Sequence, residues 1–190
     1  MPAAAENVTP KYLYCSTRSS RIPPQLHAAP SAAAAAAHAK RHDAGRVQAL
    51  IIATANGHVL LERFYERFSN LDRADIRVAC QQALEKDLGT PEAESVSRFR
   101  GAAVVSRTEG DLVYYAVGTG EYDELTLAEA LRGLAAALRE AMRKAPSEAV
   151  LLDHYARLCL VVDEVVQEGV LDAADKDAIL RGVKLRGGDV

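Results

Sequence analysis

Residues 47–65 have the sequence VQALIIATANGHVLLERFY, and this stretch decides the fold class of the 190-residue chain. Two apolar runs, 47–53 and 59–65, stand on either side of a short, more polar segment. The pair Asn56-Gly57 lies in that segment, and Asn-Gly is the strongest short-range signal of a β-hairpin. The sequence therefore predicts that a domain opens with two antiparallel strands.

A second pair of strands is predicted further along the chain, over residues 102–106 and 112–117. The turn between them falls at Glu109-Gly110-Asp111, and Phe99 is expected to begin a further short strand just before the pair. Strands that are joined by tight turns pair in the antiparallel sense. We therefore expect one antiparallel sheet of about five strands.

Two segments have the apolar spacing of amphipathic helices. Ser69 and Asp72 form a capping-box pattern at the start of the first, and Gly89-Thr90-Pro91 is expected to end it. The second is predicted to begin just after Asp123-Glu124 and to end before Pro146. The apolar positions that define them are Ile76, Cys80, Ala83, Leu84 and Leu88, followed by Leu127, Leu131, Leu134, Leu138 and Met142.

Residues 151–169, LLDHYARLCLVVDEVVQEG, are predicted to lie in a third helix that begins around Ser147. Its apolar stripe consists of Leu151, Tyr155, Leu158, Val162, Val165 and Val166. Because β-branched valines lower helix propensity, this helix has to be held by packing on a core. A last short helix is predicted over roughly 172–182, ending at Gly182. The element order β-β-α-β-β-β-α-α, followed by this short last helix, predicts an α+β fold with helices on both faces of the sheet.

Residues 1–45 differ in composition from the rest of the chain. They contain an alanine run from Ala32 to Ala37 and five Lys or Arg residues against only two acidic residues. We expect a disordered, low-complexity extension, with a targeting peptide as the alternative. Residues 46–190 are expected to form the folded domain. Residues 1–45 are positively charged while the whole chain has a net charge of −3, so the folded domain carries the negative charge. An acidic domain gives no reason to expect nucleic-acid binding.

No residue pattern points to catalysis or to a cofactor. The sequence has no Gly-rich phosphate loop, no HExxH and no GxSxG motif, and its three cysteines are scattered without metal-ligand spacing. His58 is expected at the surface, and His154 is expected to be a structural or surface histidine and not an acid/base element. Cys80 and Cys159 are expected to be small buried hydrophobes. We therefore predict a binding or structural domain and not an enzyme, without a metal, cofactor, small-molecule substrate or membrane span.

The acidic pair Asp163-Glu164 interrupts the apolar third helix, and two interpretations stay open. The pair is either an intersubunit salt-bridge site or the polar edge of the apolar stripe. Either role is compatible with a domain that works by binding.

Three segments carry a resemblance in their order and spacing. They are the hairpin Ala53–Phe64, the junction Tyr122-Asp123-Glu124-Leu125, and Leu160–Val166, which contains Asp163-Glu164. Together they resemble the longin-domain (SNARE-like) small subunits of adaptor and coat complexes, the sigma/zeta family. The resemblance is closest to the small subunit of the TPLATE (TSET) complex, with the coatomer zeta subunit next. It covers residues 46–190 and implies the longin fold.

The resemblance also implies a function without chemistry. Such a protein supports a large solenoid subunit, beside a medium subunit, in a heterotetrameric vesicle coat. It would be cytoplasmic and reach membranes peripherally through its complex. A TPLATE-type subunit would act at the plasma membrane in clathrin-mediated endocytosis, and a coatomer zeta subunit in Golgi–ER transport. A stand-alone longin- or profilin-like regulator of a small GTPase is the alternative from another class.

In sigma subunits a pocket receives acidic dileucine sorting signals. The resemblance places its positions at Leu112, Ala135, Ala145, Glu148 and Val150. Leu112 and Val150 keep apolar character, but the two alanines provide less apolar wall. Glu148 puts a carboxylate where the family has a leucine, which would repel an acidic signal and is costly against leucine side chains. We therefore predict that this chain does not bind dileucine signals.

Overall fold

The structure is a computed structural model, and it describes residues 45–85 and 93–186. Apart from Gly45, the predicted extension 1–45 lies outside the described residues. The predicted end of the first helix at Leu88 and Gly89-Thr90-Pro91 and the tail 187–190 also lie outside them. The account below therefore concerns the domain without these segments.

Five strands form one sheet, as the two predicted hairpins require. They are β1 (Val47–Thr54), β2 (Val59–Phe64), β3 (Glu94–Phe99), β4 (Ala102–Glu109) and β5 (Leu112–Gly118). The strand order is β2-β1-β5-β4-β3, and every neighbouring pair is antiparallel. The predicted antiparallel sheet is confirmed, with β2 and β3 at its edges.

Glycines with positive φ make the turns of this sheet. In the first hairpin Gly57 (φ 86°) donates its N–H to the carbonyl oxygen of Thr54 at 2.9 Å, so a tight turn ends in a left-handed glycine. Arg100 (φ 48°) and Gly101 (φ 86°) join β3 to β4. Phe99 therefore ends β3, and the prediction that it begins a strand is wrong.

One helix, α1 (Asn70–Glu85), covers one face of the sheet. The predicted capping box is confirmed, because the N–H of Asp72 donates to Ser69 Oγ at 3.1 Å and the N–H of Ser69 donates to Asp72 Oδ2 at 3.3 Å. Arg77 donates to both carboxylate oxygens of Glu62 on β2 at 2.8 Å, which ties the helix to an edge strand. The helix packs on the sheet through Ile76, Cys80, Ala83 and Leu84.

The other face is covered by α2 (Glu124–Met142), α3 (Glu148–Asp153), α4 (Tyr155–Val165) and α5 (Lys176–Leu185). α2 begins at Glu124, directly after its cap Asp123 and one residue before the predicted start. The larger apolar core lies under these helices and includes the fully buried residues Leu127, Leu131, Leu134, Leu138, Leu151, Leu158 and Val162. Helices thus lie on both faces of the sheet, as predicted.

The segment predicted as one long third helix is divided in two. Its helical hydrogen bonding stops at His154 (φ −115°, ψ 33°), which separates α3 from α4. Since the sequence has neither proline nor glycine at this point, the break is not a local effect. α3 packs on β2, whereas α4 packs on α2 and α5, so tertiary packing sets the change of direction.

The third helix also ends earlier than predicted. Val166 is extended (φ −132°, ψ 117°) and lies in β6 (Val166–Gln167), which pairs with β7 (Val170–Leu171). The turn of this small hairpin is Glu168-Gly169, with φ of 49° and 83°. Val166 therefore does not belong to the helical stripe, and the hairpin is an element that the sequence prediction missed.

The last helix is shifted from its predicted position. Asp175 caps α5 by accepting the N–H of Ala178 at 3.1 Å, so the helix begins at Lys176 and not at 172. It continues through Gly182, where the prediction ended it. An added Cβ at Gly182 would lie 2.5 Å from Glu164 Cδ, so this glycine allows α5 to pack closely on α4.

Candidate functional site

The junction Tyr122-Asp123-Glu124-Leu125 fixes the start of α2. Asp123 Oδ1 accepts the N–H of Thr126 at 2.9 Å, and this bond holds the pKa of Asp123 below its ordinary value of 3.8. Glu124 accepts hydrogen bonds from Arg98 Nε at 2.9 Å and Nη2 at 2.6 Å, which joins α2 to the edge strand β3. Leu125 is 74% exposed, so this position is open to a partner.

Tyr122 connects the junction to the small hairpin near the C-terminus. Its ring is buried, and an added Cβ at Gly118 would lie 2.9 Å from Tyr122 Cβ, so the glycine at the end of β5 makes room for it. Tyr122 Oη accepts the N–H of Leu171 on β7 at 3.3 Å. The junction Tyr122–Leu125 and the segment Leu160–Val166 are thus connected through the β6–β7 hairpin.

Glu164 is a buried carboxylate on α4, and its partner lies on α5. The side chain forms an ion pair with Arg186 Nε, and Gly182 approaches it closely. The carboxylate therefore has a basic partner without any other subunit. The sequence analysis missed Arg186 and Gly182. A glycine inside an amphipathic helix was the available signal of a close approach.

Asp163 lies beside Glu164 but at the surface. Its Oδ1 is 3.7 Å from Arg63 Nε on β2, and its side chain is 44% exposed. At this distance Arg63 and Asp163 form a weak, solvent-exposed ion pair, which contributes little to the free energy of unfolding. Asp163 and Glu164 therefore each have a basic partner within this chain.

The predicted dileucine-pocket positions divide into buried and surface residues. Leu112 on β5 is 0% exposed and Ala135 on α2 is 2% exposed, and both lie in the same core as half-buried Val150. Ala145 is exposed, and half-buried Glu148 donates its N–H to Asp111 Oδ2 at 3.4 Å. In this conformation Leu112 and Ala135 have no surface that a ligand could reach.

The histidines and cysteines are the remaining residues that the sequence analysis considered for chemistry. His58 is exposed, as predicted, and His154 is exposed as well, which makes it a surface histidine. Cys80 is buried, which raises the pKa of its thiol to about 12, whereas Cys159 is only half-buried. Within residues 45–85 and 93–186, no three His, Cys, Asp or Glu side chains are grouped to hold a metal ion. No helix in that part of the chain is long and apolar enough to cross a membrane.

Comparison with known proteins gives a consistent set of relatives. Residues 46–190 match the family described as "Clathrin adaptor complex small chain". Human and bovine coatomer subunit zeta-1 are each 31% identical over 147 residues, which cover 76% of this chain and 80% of the zeta subunit. TSET complex member tstD of Dictyostelium discoideum is 23% identical over 136 residues, covering 70% of this chain and 88% of that protein.

A structural comparison agrees with the sequence comparisons. One chain of a homology model of the full-length AP-3 complex in a stretched open conformation superposes with a TM-score of 0.55. The two chains are 13% identical, and the match covers 74% of this chain and 92% of the other. At this identity the likeness shows a shared fold and nothing further.

Proposed function

We propose, because this chain belongs to the family of clathrin adaptor complex small chains, that it is the small subunit of a heterotetrameric coat of the TSET (TPLATE) type. The sheet of five antiparallel strands with helices on both faces is the longin fold of adaptor small subunits, as the sequence predicted. The observation that carries the coat-subunit part of the proposal is the family match, which spans residues 46–190.

In this role the subunit supports a large solenoid subunit, beside a medium subunit, and carries out no reaction. It binds neither nucleic acid nor a small-molecule substrate, and it reaches the plasma membrane peripherally, through its complex, at endocytic sites. The motif residues support this role, because Tyr122, Asp123 and Glu164 form contacts that hold the domain together. The outer surfaces of the helices and the strand edges then remain for partners, as an obligate interface requires.

The choice between coats rests on two different observations. The hairpin Ala53–Phe64 and the junction Tyr122–Leu125 resemble the TPLATE-type small subunit, and tstD matches over 88% of its own length. The higher identity of coatomer zeta-1, 31% against 23%, favours a second candidate, a coatomer zeta subunit in Golgi–ER transport.

Affinity purification of the tagged full chain from its native cell, with mass spectrometry, separates these candidates. We expect TSET subunits to be recovered in amounts close to that of the chain. Recovery of coatomer subunits instead would assign it to the second candidate. A chain that elutes alone as a stable monomer or homodimer and binds a small GTPase would instead be a stand-alone regulator, and the proposal would be wrong.

The dileucine positions lead to a separate prediction. Since Leu112 and Ala135 are closed off and Glu148 adds a negative charge, we expect the assembled core not to bind a fluorescent acidic dileucine peptide. A sigma-containing adaptor core serves as the positive control in the same anisotropy assay. Measurable binding that is lost in the Leu112→Ser variant would contradict the prediction.

A further inference from the structure

Among the strands that the structure describes, β3 lies at one edge of the sheet, with β4 as its neighbour on the inner side. The N–H of Thr108 on β4 donates to the carbonyl oxygen of Ala93 at 2.9 Å, so the backbone of Ala93 faces β4. Because backbone direction alternates along a strand, Glu94, Val96 and Arg98 direct their N–H and C=O groups away from β4. An edge of this kind is a template for pairing with a further strand.

The side chains of Glu94, Val96 and Arg98 lie on the face of the sheet that α2 covers. Val96 is in the middle of this row and is 52% exposed. The two charged residues have partners within the chain, namely Arg107 on β4 and Arg132 on α2 for Glu94, and Glu124 on α2 for Arg98. The ion pairs therefore hold both charged ends of the row, while its apolar centre is open to solvent.

This row is self-complementary when β3 is paired with itself in the antiparallel direction. A register centred on Val96 places Val96 opposite Val96 of a second copy, and it places Glu94 opposite Arg98 at each end. Since these three residues also direct their backbone groups outward, each opposite pair is a hydrogen-bonded pair. A shift of the register by two residues would put Val96 opposite a charged residue and leave one outward-directed residue of β3 without an opposite. The register centred on Val96 is therefore the one that β3 favours.

The charges that would meet at each end of this pairing are balanced to within one unit. They are the carboxylates of Glu94 and Glu124 and the guanidinium groups of Arg98, Arg107 and Arg132. The side chain of Arg132 is 55% exposed, so water screens the single excess positive charge. On the other face of the strand Ser95 would meet Ser97, and both are small and uncharged. No like charges stand directly opposite each other, so the charges select this register more than they add affinity.

We propose that β3 pairs with β3 of a second copy of this chain, antiparallel and centred on Val96, so that two sheets join edge to edge. This contact goes beyond the proposed function, because it would connect two small subunits and the two complexes that contain them. It is limited to one strand of six residues and the side chains beside it, so the dimer is weak and depends on concentration. Assembly of a coat on a membrane would supply the high local concentration that such a contact needs.

A cysteine at the centre of the pairing tests this arrangement in the full chain. Opposite residues of a hydrogen-bonded antiparallel pair have Cα atoms about 5.5 Å apart, which a disulfide can span. Under mild oxidation, Val96→Cys should therefore form a dimer linked through the new thiols. Arg98→Cys is the matched control, because its two copies would lie four residues apart along the strands, about 14 Å. We expect at least a tenfold difference in linked dimer, with peptide mapping to separate this link from those of the native cysteines.

Sedimentation equilibrium from micromolar to millimolar concentration tests the contact without a cross-link. Val96→Pro removes an outward-directed N–H, and proline at such an edge position leaves the pairing with β4 intact. We expect the self-association of the full chain to weaken at least tenfold in this variant. Far-ultraviolet circular dichroism shows whether the variant is folded, and the cysteine test remains decisive if it is not.

A charge exchange between two chains makes the test specific for the register. Arg98→Glu alone places two carboxylates opposite each other, and Glu94→Arg alone places two guanidinium groups opposite each other. Each variant by itself should self-associate several-fold more weakly than the parent chain. An equimolar mixture of the two should recover association, because opposite charges then face each other at both ends of the mixed pair.

Three results would overturn the proposal. The first is linked dimer forming equally in Val96→Cys and Arg98→Cys. The second is a folded Val96→Pro chain that self-associates as strongly as the parent, since another surface would then make the contact. The third is a chain that stays monomeric up to millimolar concentration. None of these results depends on which coat the chain joins, which the affinity purification decides separately.

Discussion

Gly133 lies in the middle of α2, where glycine normally weakens a helix, and its replacement by alanine tests the packing of this domain. At an open position, Gly→Ala stabilises a helix by about 1 kcal/mol. Here an added Cβ would overlap the carbonyl oxygen of Ala174 and lie 2.8 Å from its carbonyl carbon. Ala174 directly precedes Asp175, the cap of α5, so relief of the clash has to move the start of that helix.

The expected magnitude follows from the two opposing effects. Overpacking of a fitted interior costs about 1–3 kcal/mol, and the upper end applies because the obstacle is backbone. Subtracting the gain in helix propensity leaves Gly133→Ala destabilised by about 2 kcal/mol. For a domain of this size that corresponds to a fall in Tm of roughly 4–8 °C.

The assay is urea and thermal unfolding of the full chain, followed by far-ultraviolet circular dichroism. Gly182→Ala is the matched control, because its Cβ would meet the flexible end of the Glu164 side chain and not backbone. We expect a smaller loss there, and Glu164→Ala in the same chain should relieve the clash. The reasoning is refuted if Gly133→Ala raises the stability by about 1 kcal/mol, as at an open helix position.

Three further predictions concern single groups of the described domain. Asp123→Ala should lower Tm at neutral pH, because it removes the cap of α2. Since the pKa of Asp123 is lowered in the folded state, the difference in Tm between the variant and the parent chain should be present above pH 3.8 and shrink below it. A pH series of thermal melts in which this difference persisted at low pH would contradict the prediction. Cys80, with its pKa raised to about 12, should resist iodoacetamide at pH 8 until urea unfolds the chain, and rapid native alkylation by peptide mapping would oppose this. Tyr122→Phe removes the acceptor of the Leu171 N–H, so amide exchange at Leu171 should become faster, with a cost of about 1 kcal/mol; unchanged exchange would show that the bond is unimportant.

Elements whose signals are local in the sequence were predicted well. The first hairpin follows from Asn56-Gly57 between two apolar runs. The start of α1 follows from the capping-box pattern of Ser69 and Asp72, which form the expected reciprocal hydrogen bonds. The register of α2 follows from apolar spacing and its cap at Asp123. In each case one short segment contains both the apolar spacing of the element and the turn or cap residues that mark where it begins or ends.

The errors fall where distant segments compete for the same residues. The β6–β7 hairpin was hidden because Val165 and Val166 continue an apolar helical spacing, while the turn at Gly169 depends on its hydrogen bond to Val47. The break at His154 has no local signal, because it arises from α3 and α4 packing on different elements. Gly182 was taken as a helix end, but its role is set by Glu164.

The sequence by itself determined an antiparallel sheet, amphipathic helices and a longin-like order of elements, because turn residues, caps and apolar periodicity act within a few positions. It also marked Tyr122 and Glu164 as family residues without indicating what they contact. Only the tertiary structure decided that Tyr122 Oη accepts from Leu171 and that Glu164 is buried against Arg186. Such pairings depend on how the sheet and helices pack, and packing brings together residues that are far apart in the chain.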